Sequence, residues 1–337
     1  MTNWHLARWV LFLPIRKFVY LEAARIGDCH RSLDCLGDDP ECVFNPTTDG
    51  GVIVRALDPN VMDTVWAAIE PLLPERVDSH PLGRHRRRVA DRVCFEGIMI
   101  RLVTGCSWED TERLLRREVS DTTLRSRRDE WIAAGVFDAL VTEAVSAYDR
   151  IIGLDLSEVV IDTTAGKAPC GGEGTGRNPM DKGKLGVKWS IVTDANGLPL
   201  GWVTDAANRH DVTLLEPTLA ELIESGLIPD VETLHLDKGY DSNNARAMIT
   251  GIGIRDAVIP RRLLGNNPPP APYRIDWRWV IERTNSWITN YGQLRRNTDR
   301  RIIHRLAQFA LAITCLITAK LIDWNNRWIN PNPSPIR

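Results

Sequence analysis

A chain of 337 residues can hold two domains, or one large domain with appendages. Hydrophobic residues make up 43% and charged residues 26%, which is ordinary for a globular protein, and a net charge of −2 excludes a histone-like coat of positive charge. Nucleic acid stays possible as a partner, because the arginines cluster locally while the acids are spread. Seven irregularly spaced cysteines do not resemble a disulfide framework, which favours a reducing, cytoplasmic compartment.

Residues 1–57 lack the periodic apolar pattern of the rest of the chain, and we expect a poorly ordered or non-native extension without a core of its own. Three cysteines and a histidine in this stretch are possible zinc ligands, but their spacing matches no usual zinc motif. These residues are Cys29, Cys35, Cys42 and His30.

Periodic apolar residues predict a small all-α domain over residues 58–145. Ser107 and Ser120 are placed to cap two successive helices, and arginines lie near the start of the second. This is the layout of a helix-turn-helix reader, whose second helix enters the major groove, although a solvated arginine face on a bundle helix gives the same pattern. The arginines predicted to bind DNA are Arg84, Arg86, Arg87, Arg88, Arg125, Arg127 and Arg128.

The remainder predicts an α/β domain over residues 150–325, followed by a tail at 326–337. The element order is strand, hairpin of two strands, helix, strand, helix, strand, helix. A mixed five-stranded sheet with flanking helices in this order has the topology of the ribonuclease-H-like fold. The last apolar helix, around Leu306–Ile322, is predicted to be a buried core helix rather than a membrane span. The predicted strands are Gly153–Thr164, Val187–Thr193, Leu198–Val203, Val231–Leu236 and Asp256–Pro260.

Two of these strands end on carboxylates. Asp162 closes the first strand and Asp237 the fourth, and in this topology those ends are neighbours, so the two acids are expected within reach of one metal ion. A third acid, Glu282, follows Arg278 by one helical turn. For that pair the alternative is an ordinary surface ion pair, and for Asp237 it is a helix cap.

Such a set of acids suits metal-assisted phosphodiester chemistry. Two Mg²⁺ ions roughly 3.5–4 Å apart can activate the attacking oxygen and stabilise the leaving one. Mg²⁺ prefers oxygen ligands and keeps several waters, so two or three carboxylates suffice. The predicted cofactor is therefore a pair of Mg²⁺ ions, for which Mn²⁺ is expected to substitute.

Arg278, His210 and Asp211 are predicted to support this site. His210 and Asp211 lie before a helix near the catalytic edge of the sheet, and for Asp211 a capping role is favoured. The glycine-rich stretch from Gly166 to Gly186 is predicted to be a flexible basic flap over a polyanion. The basic residues predicted to bind DNA in this domain are Lys182, Lys184, Lys188, Arg283, Arg295 and Arg296. Trp277, Trp279 and Trp287 are favoured as core residues, with stacking on an unpaired base as the alternative.

Motifs between about Asn60 and Ala319 resemble a DDE-type insertion-sequence transposase of the insertion-sequence-five group, within the four/five superfamily. In chain order they read V-W-A-A-I-E-P-L-L-P, V-V-I-D-T-T, N-P-M-D-K-G-K-L-G-V-K, N-R-H-D, L-D-K-G-Y-D-S and W-V-I-E-R. The resemblance implies a DNA transposase with Asp162, Asp237 and Glu282 as metal ligands. Such an enzyme binds the ends of its insertion sequence, cleaves phosphodiester bonds and joins the 3'-hydroxyl ends to target DNA.

The implied partner is double-stranded DNA, both as terminal inverted repeats and as target. A homodimer is expected because two ends must be joined. No membrane is expected, and a bacterial protein of this kind would associate with the nucleoid when acting.

The chain departs from the family pattern at two positions. The third-acid signature of the family has a tyrosine where Ile275 stands and a lysine or arginine where Thr289 stands. These changes keep one alternative open, a catalytically impaired or domesticated DNA-binding remnant. A second alternative, a ribonuclease-H-like nuclease without strand transfer, stays open because nothing in the sequence distinguishes water from a 3'-hydroxyl as the nucleophile.

Overall fold

The computed structural model describes residues 56–75, 88–260 and 277–329. The predictions for the extension up to residue 55, for Arg84, Arg86 and Arg87, for Ile275 and for residues 330–337 lie outside the described residues.

Helices dominate the described chain before residue 152, and serine caps start two of them. The side-chain oxygen of Ser107 accepts from the N–H of Asp110 at 3.0 Å, and that of Ser120 from the N–H of Thr123 at 3.3 Å. Both predicted caps are thus confirmed. The helices are α1 (Pro59–Ile69), α2 (Asp91–Thr104), α3 (Trp108–Leu114), α4 (Asp121–Ala133) and α5 (Val136–Ile151).

The sheet has six strands in the described chain, not the predicted five. They are β1 (Glu158–Lys167), β2 (Gly176–Arg177), β3 (Leu185–Thr193), β4 (Pro199–Ala206), β5 (Thr233–Leu236) and β6 (Asp256–Val258). β3 pairs antiparallel with β1 and with β4, while β5 pairs parallel with β1 and with β6. The main order β4-β3-β1-β5-β6 confirms the predicted mixed sheet, and β2 adds a short antiparallel pairing to the start of β3.

Helices cover both faces of this sheet. On one face, Ile161 and Leu236 pack in an apolar cluster with Leu215 and Leu219 of α6 (Val212–Glu224). On this face α7 (Asn243–Gly251) adds Ile249 to the same cluster. The other face carries α8 (Arg278–Thr289), α9 (Gly292–Arg295) and α10 (Ile302–Ile329). There, Trp189 of β3 stacks on Phe309 of α10 with ring centroids 4.4 Å apart.

α10 is long and apolar enough to cross a membrane by length and composition, but 83% of its most apolar window is buried inside the protein. It packs against α5 and α1 as well as the sheet. Its apolar surface is thus used in the core, as predicted for the segment around Leu306–Ile322.

The segment predicted as a flexible flap is mostly an anchored β-ribbon. β1 runs on to Lys167, and the N–H of Asn297 donates to the carbonyl of Lys167 at 2.7 Å. The guanidinium of Arg305 donates to the carbonyl of Gly171 at 2.9 Å, and the N–H of Glu173 donates to the carbonyl of Arg300 at 2.8 Å. Residues 167–173 are therefore held against the segment that precedes and starts α10.

A buried ion cluster joins the early helices to the same segment. Asp299 accepts from Arg101 of α2 at 3.0 Å and from Arg128 of α4 at 3.1 Å. Both guanidinium groups also lie over the ring of Trp108, at 4.3 and 5.1 Å from its centroid. Burial alone would raise the pKa of the Asp299 carboxyl, but Arg101 and Arg128 outweigh it and hold that pKa below its usual range. The early helices and the sheet therefore share buried contacts within one compact unit.

Two residues of the predicted DNA-binding set are buried and paired within the protein. The side chains of Arg127 and Arg128 are only 4% and 7% exposed. Arg127 is bound to Asp91 and to the carbonyl of Val89, while Arg128 is bound to Asp299. The structure contradicts their assignment to DNA, because a buried and paired guanidinium cannot neutralise a phosphate on the surface.

Candidate active site

Asp162 and Asp237 lie side by side. Asp237 directly follows the end of β5, but β1 continues to Lys167, so the prediction that Asp162 closes its strand is wrong. Ile161 of β1 pairs in parallel with Leu236 of β5, so Asp162 and Asp237 are the next residues on adjacent strands. Adjacent strands lie about 4.8 Å apart. The register therefore brings together the two acids that were predicted to meet.

The surroundings of Asp162 raise the pKa of its carboxyl. Burial raises its pKa to about 6, and the negative charges of Asp237 and Asp211 push it in the same direction. The N–H of Thr163 and the guanidinium of Arg278 act in the opposite direction. At pH 7 this carboxyl is thus a charged group whose charge is poorly compensated.

Asp211 joins the pair from the start of α6. Its Oδ1 lies 2.5 Å from the Nζ of Lys188, which also donates to the carbonyl of Arg209 at 2.6 Å. Asp211 occupies the N-cap position, but its side chain makes no capping hydrogen bond. The favoured capping role is therefore wrong, because the carboxylate is directed to Lys188 on β3.

Gly239 and Tyr240 lie next to these acids. A Cβ built on Gly239 would lie 3.9 Å from Oδ2 of Asp211 and 4.0 Å from Oδ2 of Asp237. Tyr240 is buried, and burial raises the pKa of its phenol well above the usual range, with the charges of Asp211 and Asp162 adding to the effect. The sequence motif contained Tyr240, but nothing in its pattern distinguished it from a loop residue.

The helix α8 brings Arg278 to the aspartates. Its Nη1 lies 3.9 Å from Oδ1 of Asp237, and its Nη2 donates to Oε1 of Glu282 at 3.4 Å. Arg278 thus stands between the second and third predicted acids as a cation that both carboxylates share.

Glu282 does not form a metal-binding group with Asp162 and Asp237. Its side chain is 59% exposed, and its ion pair is with Arg278 on its own helix. Within residues 56–75, 88–260 and 277–329, no three His, Cys, Asp or Glu side chains are grouped so that they could hold a metal. Asp237 accepts from the N–H of Lys238 at 2.7 Å, so it also caps the short turn that follows β5, while Ser242 caps α7.

The predicted basic residues differ in how available they are. Lys182, Lys184, Arg295 and Arg296 are exposed. Arg125 is half exposed and pairs with Asp121 at 2.9 Å. Arg88 is largely covered, because it binds both oxygens of Glu130 at 3.0 Å and Asp91 at 3.1 Å. His210 is also exposed, and its carbonyl accepts from Thr213, so it contributes backbone rather than an imidazole contact to the start of α6.

The tryptophans of α8 divide between core and surface. Trp287 is buried, which confirms the favoured core role, whereas Trp279 is 52% exposed. Arg283 lies between them, 4.8 and 4.9 Å from their ring centroids, and donates to the carbonyl of Asn196 at 3.0 Å. Arg283 therefore fixes α8 to the β3–β4 turn, and this contact occupies the guanidinium predicted to bind DNA.

The sequence analysis did not predict a half-buried pair near the start of α8. His235 of β5 contacts Glu158 of β1, and its ring lies 6.1 Å from that of Trp277, the residue before α8. The available signal was a histidine inside an otherwise apolar strand, between Leu234 and Leu236. It points to the face on which Asp162 and Asp237 also lie.

Comparisons with known proteins agree with this arrangement. Residues 61–141 match the family model described as "Putative transposase of IS4/5 family (DUF4096)", and residues 154–267 match the model "Transposase DDE domain". The sheet with its paired aspartates thus defines a transposase DDE domain. The chain belongs to the IS4/5 family of transposases.

Two relatives come from Burkholderia cepacia. A "Putative transposase for insertion sequence element IS402" is 35% identical over 132 residues, which cover 38% of this chain and 60% of the relative. An "Insertion element IS402 uncharacterized 16.2 kDa protein" is 31% identical over 121 residues, covering 36% of this chain and 82% of that protein. This chain therefore matches less than two thirds of the first relative.

Among solved structures, a cryo-EM structure of the piggyBac transposase synaptic complex with hairpin DNA is similar over 84% of this chain and 74% of that chain. The TM-score is 0.39 at 11% sequence identity, which is too low to carry an argument.

Proposed function

We propose that this protein is a DNA transposase that binds the ends of its insertion sequence, cleaves phosphodiester bonds there and joins the 3'-hydroxyl ends to target DNA. The observation that carries the proposal is the register of Ile161 with Leu236, which aligns Asp162 and Asp237 on adjacent parallel strands. The strand order β4-β3-β1-β5-β6 supports a ribonuclease-H-like domain around these acids.

The donors at this site suit divalent magnesium. They are carboxylate oxygens, the ligands that Mg²⁺ prefers, and the raised pKa of Asp162 marks a site where a cation would relieve uncompensated negative charge. Asp162 and Asp237 would hold the metal, with Glu282 as the proposed third ligand. When bound, the metal supplies a Lewis acid for the attacking and leaving oxygens.

The protein's own residues act on the DNA strand and on one another. Arg278 forms ion pairs with Asp237 and Glu282, so a metal held by both acids would compete with its guanidinium for their negative charge. The displaced guanidinium could then turn to another anion. A DNA phosphate is such an anion, and guanidinium groups bind phosphate in a bidentate manner. Lys188 holds Asp211 and so limits the negative charge beside Asp162.

Substitution of Asp237 tests this proposal. We expect Asp237→Asn to lower cleavage of a duplex copied from the DNA flanking the gene by at least about 100-fold, since a lost metal contact costs several kcal/mol. Cleavage would be measured on a labelled duplex with Mg²⁺ or Mn²⁺, and binding by gel shift.

The matched control is Asp230→Asn, an acid in the short helix that precedes β5. It should leave cleavage unchanged. Equal cleavage by wild type and Asp237→Asn would contradict the catalytic assignment.

The exposed position of Glu282, held by Arg278, favours one competing proposal: a DNA-binding remnant in which the third acid no longer reaches the aspartates. Wild-type protein that binds the flanking DNA but cuts it with neither metal would support the remnant. Cutting without joining of the 3'-hydroxyl ends to a target plasmid would indicate a nuclease without strand transfer.

A further inference from the structure

We propose that the turn between β2 and β3, residues 178–184, is a wedge that inserts the side chain of Met180 between neighbouring base pairs of the bound duplex. This inference rests on the proposed function. It goes beyond phosphate binding by the nearby lysines, because it assigns a DNA-distorting role to an apolar side chain.

Met180 is unusually exposed for its type. Its relative exposure is 93%, the highest value among the exposed large hydrophobic residues of the described chain. Burying such a side chain is worth roughly 1.5–3 kcal/mol, and this position forgoes that gain. Leu185, at the start of β3, adds a second apolar side chain to the same ribbon with 40% exposure.

The turn that presents Met180 is fixed by its own hydrogen bonds. Asn178 forms most of them: its N–H donates to the carbonyl of Lys184 at 2.8 Å, and its carbonyl accepts from Gly183 at 2.9 Å. Its side-chain oxygen accepts from the N–H of Met180 at 3.0 Å. A tip organised in this way holds the backbone of Met180 in place, so the turn itself has little conformational freedom to lose on binding.

Backbone strain is retained in the same turn. Lys182 has a φ of 50°, in the left-handed region that a lysine rarely occupies. A conformation of this kind costs of order 1–3 kcal/mol and is typically kept where it positions a functional group. Here it lets the chain reverse just after Met180.

The charges around the tip are mainly positive, which favours a negatively charged partner such as DNA. The exposed cations Arg177, Lys182 and Lys184 outnumber the one acid of the turn, Asp181, which lies 3.9 Å from Lys184. Cations that flank an apolar tip match a duplex, whose phosphates surround an apolar base stack. Methionine is among the side chains that proteins insert between base steps.

The ribbon also points from the aspartates to the tip. β1 continues from Asp162 to Lys167, which pairs with Gly186, and Gly186 pairs in turn with Gly176 at the base of the turn. Five residues of strand span roughly 17 Å, so the tip lies beyond the aspartates along β1. DNA bound at Asp162 that follows this ribbon would meet Met180 several base pairs away.

Base unstacking tests the wedge directly. The full-length protein would be added to duplexes copied from the DNA flanking the gene, in which each adenine in turn is replaced by fluorescent 2-aminopurine. For the wild type we expect a fluorescence rise confined to one or two neighbouring positions, because an inserted side chain unstacks one step. Met180→Ala should lose most of that rise while it still binds, and Met180→Leu should keep it.

The matched control is Ile223→Ala, which truncates another exposed apolar side chain, on α6, 52% exposed. It should leave the rise unchanged. An equal rise for Met180→Ala and wild type would overturn the wedge, as would binding and cleavage by wild type with no rise at any position. No binding by wild type would overturn the proposed function as well.

A second copy of the chain is the other possible occupant of the tip. Analytical ultracentrifugation of wild type and Met180→Ala without DNA gives the mass of each in solution and so distinguishes self-association from DNA binding. Equal masses are expected, and a lower mass for Met180→Ala would assign the tip to self-association and overturn the proposal.

Discussion

Asp162 carries a pKa raised to about 6 from an ordinary 3.8, chiefly by burial. A carboxyl with a raised folded-state pKa favours folding only while it is protonated, so its ionisation lowers stability as the pH rises from about 4 to 6. Above pH 6 the full cost remains, up to about 2–3 kcal/mol.

We therefore expect Asp162→Asn to be more stable than wild type at pH 7 and equally stable near pH 4. Thermal unfolding in EDTA at several pH values measures this difference. Added Mg²⁺ should stabilise wild type more than the variant, because a ligand stabilises the state that binds it. A stability difference that is independent of pH would contradict the prediction.

At the scale of elements, Asp299 joins two helices, because guanidinium groups from both meet this one buried carboxylate. Asp299→Asn would leave Arg101 and Arg128 without their shared anion. Breaking a buried pair in this way costs about 3–5 kcal/mol. Urea unfolding should show a loss of this size.

The control for that loss is Asp63→Asn, which breaks a surface pair with Arg92 in which the Asp63 side chain is 63% exposed. Exposed pairs contribute about 0–1 kcal/mol. Equal effects of the two substitutions would show that the Asp299 cluster does not stabilise the fold.

Local features of the fold could be predicted from the sequence, whereas long-range contacts such as those of the Asp299 cluster could not. Ser107 and Ser120 cap helices through bonds to residues three positions away, and the apolar runs that lead up to Asp162 and Asp237 are local patterns as well. The burial of Arg128 depends on Asp299, 171 residues along the chain, and no local pattern reveals that contact.

At the candidate site too, the contacts that the sequence did not predict are those between residues far apart in the chain. The register of β1 with β5 followed from the predicted topology. The partnership of Asp211 with Lys188 and of Arg278 with Asp237 depends on how α6 and α8 dock on the sheet. The assignments of Asp162, Asp237 and Glu282 as metal ligands stay predictions.

For the whole molecule, a net charge of −2 means that DNA binding must use a local surface. Arg295 and Arg296 are exposed at the end of α9, beside the β1 ribbon through the bridge of Arg296 with Lys167. If each contacts one phosphate, replacing both with alanine should reduce the slope of log K against log salt by about 2.

Gel-shift titrations at several salt concentrations measure this slope. Arg113→Ala is the control, since Arg113 on α3 is 61% exposed and already bound to Asp110 at 2.7 Å. An unchanged slope in the double variant would remove this surface from the DNA path.

The docking of α10 against α1, α5 and the sheet has a consequence for protein synthesis. A ribosome makes chains from the N-terminus, so α1 to α5 emerge long before the helix that covers them. Until α10 follows, Trp189 lacks Phe309, and Arg101 and Arg128 lack Asp299. Nascent chains interrupted before this helix would expose an open core and be ready substrates for chaperones and proteases, so an assembled aspartate site should arise only on chains translated through α10.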